Sequence, residues 1–109
     1  MSFFESLTGR NSSRSKALSL YKRGMAKAKN HNRQGAIDDY SAAINMADTS
    51  PDVRAMALYN RALVHAASKD SAMATDDLKA VLKMEDVPAN VKAAAKEKLR
   101  RIDRRADND

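Results

Sequence analysis

Residues 21–46, YKRGMAKAKNHNRQGAIDDYSAAINM, and residues 59–84, YNRALVHAASKDSAMATDDLKAVLKM, are two versions of one pattern set 38 positions apart. Tyr21 aligns with Tyr59, Arg23 with Arg61, Ala36 with Ala74, and Asp38-Asp39 with Asp76-Asp77. Tyr40 aligns with Leu78, Ile44 with Leu82 and Met46 with Met84. The register then resumes one unit later, Val53 on Val91, Arg54 on Lys92, Ala55 on Ala93 and Ala57 on Ala95. An offset kept without slippage marks stacked supersecondary units. Such units work through surface, so binding is the leading expectation and catalysis the trailing one.

The chain has 109 residues, enough for one domain with a modest core. Alanine, leucine, methionine, lysine, arginine and aspartate dominate, with three glycines, two prolines and few aromatic residues. That composition belongs to helices. Cysteine is absent, which excludes disulfides and thiolate chemistry and fits a reducing compartment. No apolar run approaches the roughly 20 residues of a membrane span. The start Met1-Ser2-Phe3-Phe4-Glu5-Ser6-Leu7 lacks a basic, then apolar, signal peptide. A soluble cytoplasmic protein is expected. The net charge of +6 gathers at the two ends and leaves the middle near neutral.

Residues 1–15 read as a flexible polar leader, with Ser, Asn, Arg, Thr and Gly crowding Thr8 to Ser15. Phe3, Phe4 and Leu7 share one side if a helix forms there, and would make a clip on the repeats, a surface anchor or a self-docking ligand. Five helices follow. The first spans about Lys16 to Asn30; the second, about Arg33 to Ala47, is capped by Asn32 and carries Ala36, Ile37, Tyr40, Ala43 and Ile44 at helical spacing. Ser50-Pro51-Asp52 opens the third, about Pro51 to Ser68, apolar around most of its girth and therefore expected at the centre. Asp70 caps the fourth, about Ser71 to Met84. The fifth, about Ala89 to Arg105, has a narrow apolar seam of Val91, Ala95, Leu99, Ile102 and Ala106 and charge elsewhere, as a terminal helix should.

Within each unit the spacing resembles a tetratricopeptide (TPR) repeat: a small residue in helix A, an alanine twelve positions on, an aromatic four further, an alanine three further. These are Gly24, Ala36, Tyr40 and Ala43, then Ala62, Ala74, Leu78 and Val81. Small residues suit the close crossing of helices A and B. The tryptophan position of the family holds Leu20 and Leu58, and its leucine before the small residue is Arg23 and Arg61. Pro51 and Pro88 come later than the family spacing. The resemblance implies an all-α fold: a right-handed helix-turn-helix TPR-like solenoid over residues 16–106, with repeat 1 at about 16–50, repeat 2 at about 51–87, a capping helix at about 89–106 and a tail at 107–109.

The resemblance also implies a groove on the inner faces of the A helices. It would be lined by Tyr21, Lys22, Met25 and Lys29 of the first, Met56, Tyr59, Asn60 and Leu63 of the second, and Lys98 and Arg101 of the fifth helix. Tyrosine and methionine suit adaptable recognition, Asn60 offers a peptide backbone both donor and acceptor, and the cations favour a carboxylate. In the TPR subclass that clamps a C-terminal carboxylate, ligands would fall at positions 21, 25, 60, 94 and 98. Tyr21, Met25 and Ala94 depart from it, and only Asn60 and Lys98 agree.

No constellation supports catalysis, a metal or a cofactor. Neighbouring helical residues diverge by about 100°, so Asp38-Asp39 and Asp76-Asp77 read as solvated helix faces. His31 falls in a turn, and His65 reads as a packed, hydrogen-bonded core residue. Gly9, Gly24 and Gly35 form no phosphate loop. The expected function is a non-enzymatic interaction module whose partner is a protein or peptide, acidic segments among them, rather than a small molecule. Self-association through an exposed apolar edge or the leader is the alternative. Nucleic-acid binding through the basic fifth helix ranks third, because Glu97, Asp103 and Asp107 interrupt it.

Overall fold

A computed structural model describes residues 2–108, with side chains from 13 to 108. It is all-helical: α1 (Ser2–Lys29), α2 (Arg33–Asn45), α3 (Pro51–Ala67), α4 (Ser71–Lys83) and α5 (Ala89–Asn108). Each helix packs on the next, and α3 also touches α1 and α5, whereas α2 and α4 do not meet. The odd-numbered helices therefore form one layer. α3, with Val53, Ala55, Ala57, Leu58, Ala62, Val64 and His65 buried, is its centre.

The two hairpin turns are copies of each other. His31 and Lys69 both have φ 63°, the left-handed conformation that ends a helix. The Asn32 N–H donates to the Lys27 carbonyl and the His31 N–H to the Ala28 carbonyl; Asp70 and Lys69 do the same to His65 and Ala66. Asn32 and Asp70 then cap the next helix, accepting from the N–H of Gly35 at 3.0 Å and of Met73 at 3.2 Å. One residue thus closes one helix and opens another, which holds A and B helices antiparallel.

Between the hairpins, α2 ends on side chains of the connection and of α3. Arg54 donates to the carbonyls of Ile44 and Met46, and Thr49 Oγ1 to that of Ala43 at 2.7 Å. The carbonyls that a helix end leaves open are so satisfied. The core falls into two clusters. Ala36, Tyr40, Ala43, Ala57 and Val64 make one; Leu58, Ala62, Ala74, Leu78, Val81 and Ala95 make the other, with Ile44 packed on both.

Two boundaries differ from the expectation. The leader, assigned to residues 1–15 as flexible chain, is helical from Ser2, and the tail assigned to 107–109 is helical to Asn108. No proline interrupts residues 1–15, and a helix once formed lengthens at one hydrogen bond per residue. Arg14 is also tied down: it donates to Ser50 Oγ at 2.7 Å and pairs with both Asp52 oxygens at 3.2 Å. Its guanidinium holds the Asp52 carboxyl down at about 2. Ser50 therefore accepts from Arg14 instead of capping α3. The side chains of Phe3, Phe4 and Leu7, and the clip, anchor or ligand roles considered for them, lie outside the described residues. No helix among the described residues is long and apolar enough to cross a membrane.

Candidate functional site

Behind the face of α1, α3 and α5, a repeated ion pair ties α1 to α2 and α3 to α4. Arg23 donates to the two oxygens of Asp39, both at 2.8 Å, and Arg61 to those of Asp77 at 2.9 and 2.7 Å. Each is a two-point guanidinium–carboxylate contact tying helix A to helix B. Lys27 adds a second cation to Asp39 at 3.1 Å, and Arg61 also donates to Ser41 of α2. Asp39 and Asp77 are 4% and 6% exposed, which corrects the expectation of solvated faces. Only Asp38 and Asp76 face water. The hydrogen bond from Arg23, reinforced by Lys27, depresses the Asp39 pKa to about 2.

Across the layer, Asn60 Nδ2 donates to the Tyr21 hydroxyl at 3.0 Å and to the Met56 carbonyl at 2.8 Å. This contact joins α1 to α3. It uses both amide protons, so of the two functions expected toward a peptide only the Oδ1 acceptor remains. Burial raises the Tyr21 pKa, with the Asn60 contact opposing it.

Two adjoining cavities, of about 620 and 250 Å³, share Ala28, Tyr40 and Asn60 and form one cleft between α1 and α3. Lys22, Met25 and Lys29 line it from α1 and Leu63 from α3. Met25 is exposed there, an uncovered apolar side chain. Burial and the neighbouring Tyr21 push the Tyr40 phenol up to about 12, so it stays neutral. A second cleft of about 560 Å³ lies between α3 and α5, floored by Ala66 and Ile102 and lined by Lys69, Lys98, Arg101 and Arg105. Among the described residues no aspartate or glutamate lines either cleft.

Of the residues expected in the groove, Lys22, Met25, Lys29, Asn60 and Leu63 converge on the first cleft, with Tyr21 bonded behind Asn60. Lys98 and Arg101 line the second. Met56 lines neither cleft and offers its carbonyl to Asn60, and Tyr59 packs on the α3–α5 core. Sequence reasoning missed Tyr40, Arg33, Lys69 and Arg105. The signal for the turn residues was the equivalence of His31 and Lys69 across the repeat.

His65 is buried as expected, but its Nε2 has no hydrogen-bond partner, contrary to expectation. On α5, Glu97 pairs with Arg100 at 3.1 Å, with Arg101 at 3.3 Å and with Arg104 at 4.0 Å, dividing the basic run. Among the described residues no cluster has the composition of a metal site. Compared with known proteins, the chain finds no matching family model, no matching curated protein and no matching solved structure.

Proposed function

We propose that this chain is a non-enzymatic protein-interaction module, a short TPR-like stack that binds a peptide or protein segment along the face of α1, α3 and α5. The observation that carries it is the convergence of Lys22, Met25, Lys29, Asn60 and Leu63 on one open cleft, backed by a rigid frame of repeated ion pairs. Apolar surface flanked by a few fixed polar groups suits an extended segment. The absence of cysteine accords with a cytoplasmic setting. The test is binding of the full chain to a random peptide array. Replacing exposed Met25 and half-buried Leu63 by glutamate should abolish capture while the helical circular dichroism is unchanged. Unchanged capture by that folded variant rejects the groove.

Self-association is the second reading, and an open edge favours it. Lys16, Ser19, Leu20 and Arg23 border a cavity of about 450 Å³ with Met46. Their counterparts one repeat later, Arg54, Ala57, Leu58 and Arg61, are covered by α2. An uncovered copy of an internal interface is a surface on which another helix fits. Sedimentation of the wild type and of Leu20→Lys checks it, and a monomer in both cases excludes it.

A further inference from the structure

The two clefts on the α1–α3–α5 face are one cleft built twice. Shifted by the repeat, Ala28 and Val64 of the first become Ala66 and Ile102 of the second, so the floor is kept. The wall changes character. Asn60, Leu63 and Ala67 on α3 correspond to Lys98, Arg101 and Arg105 on α5, and His31 to Lys69. In the first cleft, α3 offers only neutral groups and the cations come from Lys22, Lys29 and Arg33. In the second, α5 itself is cationic. Arg101 is held by Glu97, whereas Lys69, Lys98 and Arg105 have no carboxylate partner among the described residues.

Resting on the groove reading above, we propose that this face recognises a bipartite segment: one bulky apolar side chain seated in the α1–α3 cleft, and acidic side chains seated in the α3–α5 cleft. The occupant is an extended acidic protein segment with an apolar anchor. Leu63, Ala67 and Met25 give the anchor a contact that a backbone of evenly spaced phosphates cannot use. The cations Lys69, Lys98, Arg101 and Arg105, with no acidic lining among the described residues, supply the charge complementarity. Neighbouring helices pack about 8–10 Å apart, and an extended chain covers about 3.3 Å per residue, so anchor and acidic group stand about three residues apart.

Fluorescence polarisation on the full chain, with short capped peptides in a serine–glycine background, tests this. One set carries a leucine and three aspartates at varied separation in both orders; the others carry the leucine alone or the aspartates alone. The combined set should bind at least about tenfold more tightly than either element alone, and should weaken as salt rises. Lys98→Ala with Arg105→Ala should erase the aspartate advantage and keep the leucine's, and Leu63→Ser the reverse, both with unchanged helical circular dichroism. Leucine peptides that bind as well without aspartate overturn the acidic assignment and leave the groove standing. Aspartates alone binding as well as the combined set, or a single-stranded oligonucleotide displacing the peptide equally well, overturn the apolar anchor. Failure of every peptide overturns the groove and this proposal with it.

Discussion

Gly24→Ala should destabilise this protein although it replaces a glycine inside a helix. A Cβ at Gly24 would lie 2.7 Å from Cε1 and 2.8 Å from Cδ1 of Tyr40. Ordinary contact begins near 3.4 Å, so the ring must move by more than half an ångström. Tyr40 is 1% exposed and packed in the first core cluster, so a shift toward the cleft it borders gives up core contacts. Overpacking of that kind costs about 2–3 kcal/mol, and the helix propensity of alanine returns about 1 kcal/mol. The net loss is about 1–2 kcal/mol, a fall of several degrees in Tm for a domain of this size. The second repeat contains the remedy, because its counterparts are Ala62 and Leu78. Tyr40→Leu should be destabilising alone through the space it leaves. In that background Gly24→Ala should become stabilising by about 1 kcal/mol. The coupling between the two sites, about 2–3 kcal/mol, is read from a double-mutant cycle of urea unfolding followed by circular dichroism. Additive effects, with coupling under about 0.5 kcal/mol, would refute the steric account of the helix crossing.

Asp77→Ala strands Arg61 in a half-buried site and should cost about 3 kcal/mol in urea unfolding; replacing both partners by leucine should recover most of that. Lys69→Gly relieves a left-handed side chain and, after the entropy of the added glycine, should stabilise by about 0.5 kcal/mol, seen as a rise in Tm. The Asp39 carboxyl sits at about 2 in the folded chain, below its ordinary value of 3.8. Because the folded value is depressed, its contribution is present above the ordinary value of 3.8 and is lost as pH falls from there through about 2. Asp39→Asn should flatten that part of an acid-unfolding profile while lowering stability at neutral pH.

The helices and their joints were legible because their signals are local. Asn32 and Asp70 advertise caps, and the apolar period of α2 to α5 sets each buried face. The start of α1 was not legible. Serine and asparagine lower local helix propensity there, and the tie from Arg14 to Asp52 links positions too distant to be seen in any window. The aspartates were misread for a related reason. Whether a carboxylate is buried depends on the cation it meets, and Arg23 and Arg61 lie on another helix, 16 residues away. The clue was an opposite charge repeating at the same offset as the aspartates. Lys22, Met25, Lys29, Asn60 and Leu63, named from helical register, line one cleft. Register gave no warning that Asn60 would use its donors on Tyr21 and Met56, or that Tyr59 would turn to the α5 core.

The two repeats divide their positions by physical role. Arg23 and Arg61, Asp39 and Asp77, the left-handed turn residues with their cap contacts, and the Ala28–Ala66 floor occupy matching places, and each of these holds backbone to backbone. Between α3 and α5, by contrast, Asn60, Leu63 and Ala67, which line the first cleft, give way to Lys98, Arg101 and Arg105, which line the second. Positions facing an open cleft change character at little cost to folding, since surface substitutions away from packed features usually shift stability by under about 0.5 kcal/mol. A small stack can therefore vary what it binds without disturbing what holds it together. That separation predicts that Lys98→Asn with Arg101→Leu and Arg105→Ala, which write the first cleft's α3 wall onto α5, will leave Tm nearly unchanged and shift peptide preference from acidic toward apolar. A large drop in Tm would mean that the α5 cations brace the fold, and their place in a recognition surface would have to be abandoned.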